Sequence, residues 1–322
     1  QLARQLGAAG NNDAEMTITR LADAVVRKDW ALAATLRGQL GSQGWPIVAG
    51  PIIDAWIMAT RGDAPKALVA LDPQRAQGFM RAYFAEQRAH MLAGLGRWDE
   101  AAAAYRQARS GGGPALSVLR QGQADALAMA GRRDEALAVL FPGDRPTAVA
   151  RQRLEAGKRL GPVAPDARTA IAWMFLRLSG DLAREKADAQ ALLFARLATF
   201  MAPEQWVGWF SVADILGRSD QHTAALAALD KVPPGLGLDE MARARRAELL
   251  DDAGDSAAAG ALLQAAANAP GATAEDWAGL AGWLRGQSRF KEAAAAYGTA
   301  IDRFGPAMGA SAWNLHFLGG MM

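Results

Sequence analysis

The chain contains no cysteine, which excludes disulfides, a thiolate nucleophile and cysteine-ligated zinc. Histidine is almost as scarce. Only His90, His222 and His316 occur in 322 residues, and none has the spacing of a helical metal site. Neither a G-x-x-x-x-G-K-[ST] loop nor a G-x-S-x-G elbow is present. Ser110-Gly-Gly-Gly-Pro114 comes nearest to a phosphate loop, but no strand precedes it and it reads as a linker. The longest apolar run, Ala170 to Leu176, is too short to cross a bilayer. No alternating stretch between turn signals argues for a strand. Charge of one sign is also missing: 35 Lys and Arg face 33 Asp and Glu, a formal net charge of +2. Helical RNA binders need a basic stripe to release counterions from phosphates, so no nucleic-acid partner is expected. These absences leave no catalytic residue, cofactor or metal to assign, and the chain reads as a non-enzyme.

What the chain does have is a period. Ala33, Ala67, Ala101 and Ala136 follow one another at spacings of 34, 34 and 35, and Ala191, Ala225, Ala259 and Ala293 repeat at 34. Alanine makes up roughly a quarter of the residues, far above ordinary usage, so the period matters only because other columns agree. Twelve residues before each anchor stand Leu21, Ala55, Ala89, Ala124, Ser179, Ala213, Ala247 and Ala281. Nine before stand Ala24, Met58 and then leucine six times, at 92, 127, 182, 216, 250 and 284. Five before, where a turn is due, stand Lys28, Gly62, Gly96, Gly131, Lys186, Asp220, Gly254 and Ser288.

These columns describe helix hairpins. Two helices approach closely only where each offers a small residue at the crossing, and Gly at the turn supplies the left-handed conformation that ends the first helix. Positions such as Ala102, off the crossing, should lie on the surface. Pro203, Pro270 and Pro306 fall between hairpins, where a helix must stop. A fixed period near 34 predicts a helix-turn-helix solenoid, in which each hairpin touches only its neighbours.

The pattern resembles the tetratricopeptide repeat family over about nine-tenths of the chain. The best single match runs through Trp277, Gly279, Leu280, Ala281, Leu284, Phe290, Ala293, Tyr297, Ala300 and Pro306. Arg37 departs from the pattern, standing where a large apolar residue is expected. The resemblance implies an all-α, right-handed solenoid of about eight hairpins plus a partial one. Residues 1–142 would form four repeats, 143–165 a proline-rich insertion with a short helix over Thr147 to Leu160, and 166–309 four more. Residues 310–322 would begin a further, truncated repeat. Both ends look cut, because solenoids need polar caps, so the natural protein is expected to continue. The chain is similar to large alanine-rich proteobacterial proteins of this family, many of them exported, so periplasm or cell envelope is expected ahead of cytoplasm.

In this family the first helix of each hairpin lines a concave groove where extended peptides bind. Contacts concentrate eighteen, fifteen, eleven, eight and seven residues before the anchor. The first three of those columns hold Tyr83, Glu86 and His90 in one hairpin, Gln121 and Asp125 in the next, and Trp56 in the one before. Trp173 falls on the same columns. The resemblance thus implies a groove of aromatics and carboxylates, suited to a peptide with apolar and basic residues. The lysine and asparagine that chaperone-binding members use to clamp a C-terminal carboxylate are missing at these columns. The expected function is a protein-interaction scaffold, with an accessory or assembly subunit of a bacterial cell-envelope complex as the alternative. The densest basic patch, Arg151, Arg153, Lys158 and Arg159, lies on the insertion helix and reads as a solvated face.

Overall fold

A computed structural model describes residues 13–109, 116–140, 145–233 and 239–304. The truncated repeat at 310–322, the Ser110–Pro114 linker, Pro306 and His316 lie outside the described residues. Among the described residues every regular element is helical, with seventeen α-helices and one short 3-10 turn at Pro73–Arg75. The first eight pair as hairpins: α1 (Ala14–Val26) with α2 (Trp30–Gln39), and α3 (Pro46–Thr60) with α4 (Ala64–Ala70). Next come α5 (Met80–Gly94) with α6 (Trp98–Arg109), and α7 (Leu116–Met129) with α8 (Arg133–Val139). The insertion supplies α9 (Arg145–Glu155). Then follow α10 (Ala167–Arg184) with α11 (Asp188–Met201), and α12 (Trp206–Arg218) and α13 (His222–Leu229). The last two pairs are α14 (Asp239–Asp252) with α15 (Ser256–Ala267), and α16 (Ala274–Gly286) with α17 (Phe290–Phe304).

The hairpin register is that of the sequence columns. All eight anchor alanines are 0% exposed, and the small-residue column twelve positions earlier is buried throughout. Ala102 is the exception to the expected surface assignment. It is buried, because α7 packs against α6 and covers it.

Every hairpin closes with the same backbone device. Lys28, Gly62, Gly96, Gly131, Lys186, Asp220, Gly254 and Ser288 all have positive φ, between 55° and 91°. In each case the following amide donates to the carbonyl five residues back, on Ala24, Met58, Leu92, Leu127, Leu182, Leu216, Leu250 or Leu284, at 2.8–3.2 Å. The left-handed residue donates to the carbonyl three back. This is a Schellman closure, and it satisfies carbonyls that the helix end would otherwise orphan. Asp29, Asp63 and Asp255 then cap the second helix by accepting from its third backbone N–H.

Four of these turns are made by residues with a Cβ, at a cost of about 1–2 kcal/mol each. Lys28→Gly and Lys186→Gly should therefore each raise stability by about 1 kcal/mol in denaturant unfolding, with Gly62→Ala moving it the other way. A loss on both glycine substitutions would mean that something other than backbone strain governs these turns.

Arg37 has a partner in place of the missing apolar packing. It forms a 3.0 Å ion pair with Asp54, and its guanidinium lies where a Cβ on Gly50 would stand, at 2.4 Å. A larger residue at position 50 would have to displace the Arg37 guanidinium.

The described chain divides into two compact units, one ending at Ile215 and one starting at Leu216, so the boundary falls inside α12 and not at the 143–165 insertion. In the first unit a single apolar core runs from Ile18 to Ala202. The hairpin α10–α11 does not simply extend the row. Helix α10 packs against α1, α3 and α5, and α11 returns to α1. Phe194 of α11 stacks edge-on with Trp45 at 5.0 Å and lies 5.4 Å from Phe175 of α10. The insertion helix α9 packs on α7 and α8. Arg133 donates to the carbonyls of Leu154 and Glu155, and Arg151 to that of Leu137. In the second unit a separate core links Ala247, Ala259, Leu263, Leu280, Ala293 and Tyr297.

Candidate functional site

The six residues expected to line an open groove lie on α3, α5 and α7, and five of them are buried. Trp56, Tyr83, Glu86, His90 and Asp125 are each at most 5% exposed, while Gln121 is half-buried. Their burial has one main cause. Helix α10 lies across α3 and α5, and the segment leading into it covers α7.

The contacts are specific. The Tyr83 hydroxyl donates to the Asp181 carboxylate of α10. Arg177, one turn earlier on α10, donates to Glu86, and its guanidinium sits 4.7 Å from the centre of the Tyr83 ring. His90 places Nδ1 2.8 Å from the Tyr105 hydroxyl and Nε2 3.7 Å from Glu86. The second distance is too long for a good hydrogen bond, so Arg177 is the principal partner of Glu86. Trp56 donates to Gln87 Oε1 at 2.8 Å, and Gly161 N–H donates to Asp125 at 2.9 Å. Trp173, on α10 itself, donates to the Val163 carbonyl at 3.2 Å.

The electrostatics follow from these contacts. Burial pushes the Glu86 carboxyl up, but the facing His90 ring and the Arg177 charge outweigh it and hold the group below its ordinary value of 4.5. Burial, reinforced by the Asp181 hydrogen bond, pushes the Tyr83 phenol well above its ordinary value. Burial raises Asp125, against the Gly161 amide and Arg159. The cluster is an ion pair under a phenol, fixed between helices far apart in sequence. Arg177, Asp181 and Gln87 complete it, and the sequence columns named none of them. The only available signal was an arginine and an aspartate one turn apart on a helix otherwise rich in apolar residues.

In the second unit the same columns are not covered in this way. Met241 is 47% exposed, Glu248 is exposed, and Ala244, Glu275, Ala278 and Gly282 are half-buried. The basic patch on the insertion is largely engaged within the chain. Arg151 pairs with Glu155 at 2.9 Å, and Arg153 donates to the Arg159 carbonyl. No group of three or more candidate metal ligands occurs among the described residues, nor any helix long and apolar enough to cross a membrane.

No family model and no curated protein matches the chain. Three solved structures are among those to which it is similar. One is a tetratricopeptide repeat protein from Parabacteroides merdae ATCC 43184, at 14% identity and TM-score 0.36, covering 84% of this chain and 97% of that one. Another is the APC/C hetero-tetramer Cut9-Hcn1, at 12% identity and TM-score 0.36, covering 90% and 79%. The third is yeast Tom70, at 11% identity and TM-score 0.30, covering 97% and 89%.

Proposed function

We propose that the chain is a non-enzymatic interaction scaffold that takes a helical partner segment with apolar and basic side chains. The observation that carries this reading is the seating of α10. On the first unit's inner columns lies a helix that sets Arg177 on Glu86 and Asp181 on Tyr83, with Trp173 and Leu176 buried along it. The inner face thus accepts a helix of the chemistry expected of a partner, supplied here by the chain itself. The stripe of Trp56, Tyr83, Glu86, His90, Gln121 and Asp125 serves as a groove filled from within. The external partner takes the equivalent face of α14 and α16, where Met241 is an apolar anchor and Glu275 and Glu248, the latter paired with Arg245 at 2.9 Å, supply negative charge.

Photo-crosslinking residues placed singly at Met241 and at Tyr83 of the full chain, in the native cell, test this. A discrete protein adduct is expected at Met241 alone, and it should vanish when Glu248→Lys and Glu275→Lys are combined. Adducts at Tyr83 alone, or adducts at Met241 indifferent to the two charge reversals, would overturn the assignment.

A further inference from the structure

Away from the inner columns, α6, α7 and α8 enclose a cleft of about 440 Å³. Arg106 and Arg109 stand three residues apart on α6, so they share a face. Arg120 and Gln123 do the same on α7, and Arg132 and Glu135 close the third side. Among the described residues, four guanidinium groups and one carboxylate therefore line the cleft. That carboxylate is already committed, since both Glu135 oxygens accept from Arg132 at 2.7 Å, and Arg132 also pairs with Asp99 at 3.2 Å.

Arg109 is the informative member. Its Nη1 donates to the neutral amide oxygen of buried Gln123, and its Nε is buried with no acceptor. Burial, with the Arg120 charge alongside, pushes this guanidinium below its ordinary value. A buried charged donor without an acceptor is costly, and such an orphan calls for an ion or ligand to complete it.

We infer that this cleft is an oxyanion-binding site, for a small ligand carrying two or more negative charges on phosphate or carboxylate groups. Guanidinium forks match both groups in a bidentate manner. The volume falls in the range of small-molecule sites and is too small for a folded partner. A ligand oxygen between α6 and α7 supplies the acceptor that Arg109 Nε lacks, and its charge offsets the repulsion between Arg109 and Arg120. This site is separate from the inner columns, so its fate is independent of the scaffold assignment.

Titration calorimetry of the full chain with pyrophosphate, and in a second arm with citrate, tests the inference, chloride holding the ionic strength constant. Saturable one-to-one binding is expected in at least one arm. Arg106 is exposed, so Arg106→Glu should preserve the helical circular dichroism while weakening binding by about tenfold or more. Arg120→Gln should weaken it as well, and Lys291→Glu on α17 should not. No saturable heat in either arm, equal affinity in the Arg106 variant, or binding seen only with an acidic peptide would overturn the assignment.

Discussion

Replacing Arg177 with methionine should destabilise the first compact unit by about 3 kcal/mol, since it strands a buried carboxylate. Glu86 is 2% exposed at its side chain, and among the described residues the only other basic group within ion-pair distance is the His90 ring at 3.7 Å. The loss should appear as faster hydrogen exchange over Ala167–Arg184, because Arg177, beside the Tyr83–Asp181 hydrogen bond, ties α10 to α5. Adding Glu86→Gln should recover most of the stability, since the stranded charge is then gone. The pH dependence has a defined sign. Glu86 is held below its ordinary value of 4.5, so its contribution is complete above that pH. It is lost as pH falls through the lowered folded value. The stability difference between the natural chain and Glu86→Gln should therefore be flat near neutrality and shrink only in acid. An Arg177→Met variant within about 0.5 kcal/mol of the natural chain would refute the ion pair as a structural tie.

The second large effect belongs to the hairpin crossings. Ala89 and Ala281 are 0% exposed where two helices meet, and leucine at either has no room to enter. Each substitution should cost roughly 1–3 kcal/mol through overpacking, against a few tenths at the exposed Ala261. Urea midpoints for the three variants decide it. Equal shifts at all three positions would dissolve the register.

The crossings and turns were legible in the sequence because their causes are local. A hairpin needs a small residue, a left-handed turn and a second small residue within about a dozen positions, and it needs them again at the next period. Even turns without glycine, at Lys28, Lys186, Asp220 and Ser288, could be located by counting. The shared helix face of Tyr83, Glu86 and His90 was legible for the same reason. What covers them was not. Tyr83 meets Asp181 across 98 positions and Arg177 meets Glu86 across 91. Those contacts occur once and leave no periodic trace. Tyr83 and Trp56 look like peptide anchors on a column diagram, and only the path of α10 turns them into interior residues. Ala102 was misplaced on the surface for a related reason, since the neighbouring hairpin covers it.

The return of α11 to α1 bears on how such a chain can change length over generations. Arrays whose members touch only their neighbours gain and lose members freely, because duplication of one hairpin merely adds another interface of the same kind. The first compact unit lacks that freedom. A hairpin duplicated between α8 and α9 would carry Arg177 about one member further from Glu86 and lift Phe194 from Trp45. It would uncover the stripe and leave a buried carboxylate unpaired in the same event. Among the described residues, the hairpins from α1 to α8 are thus tied to α10 and α11 by contacts that a copied member would break.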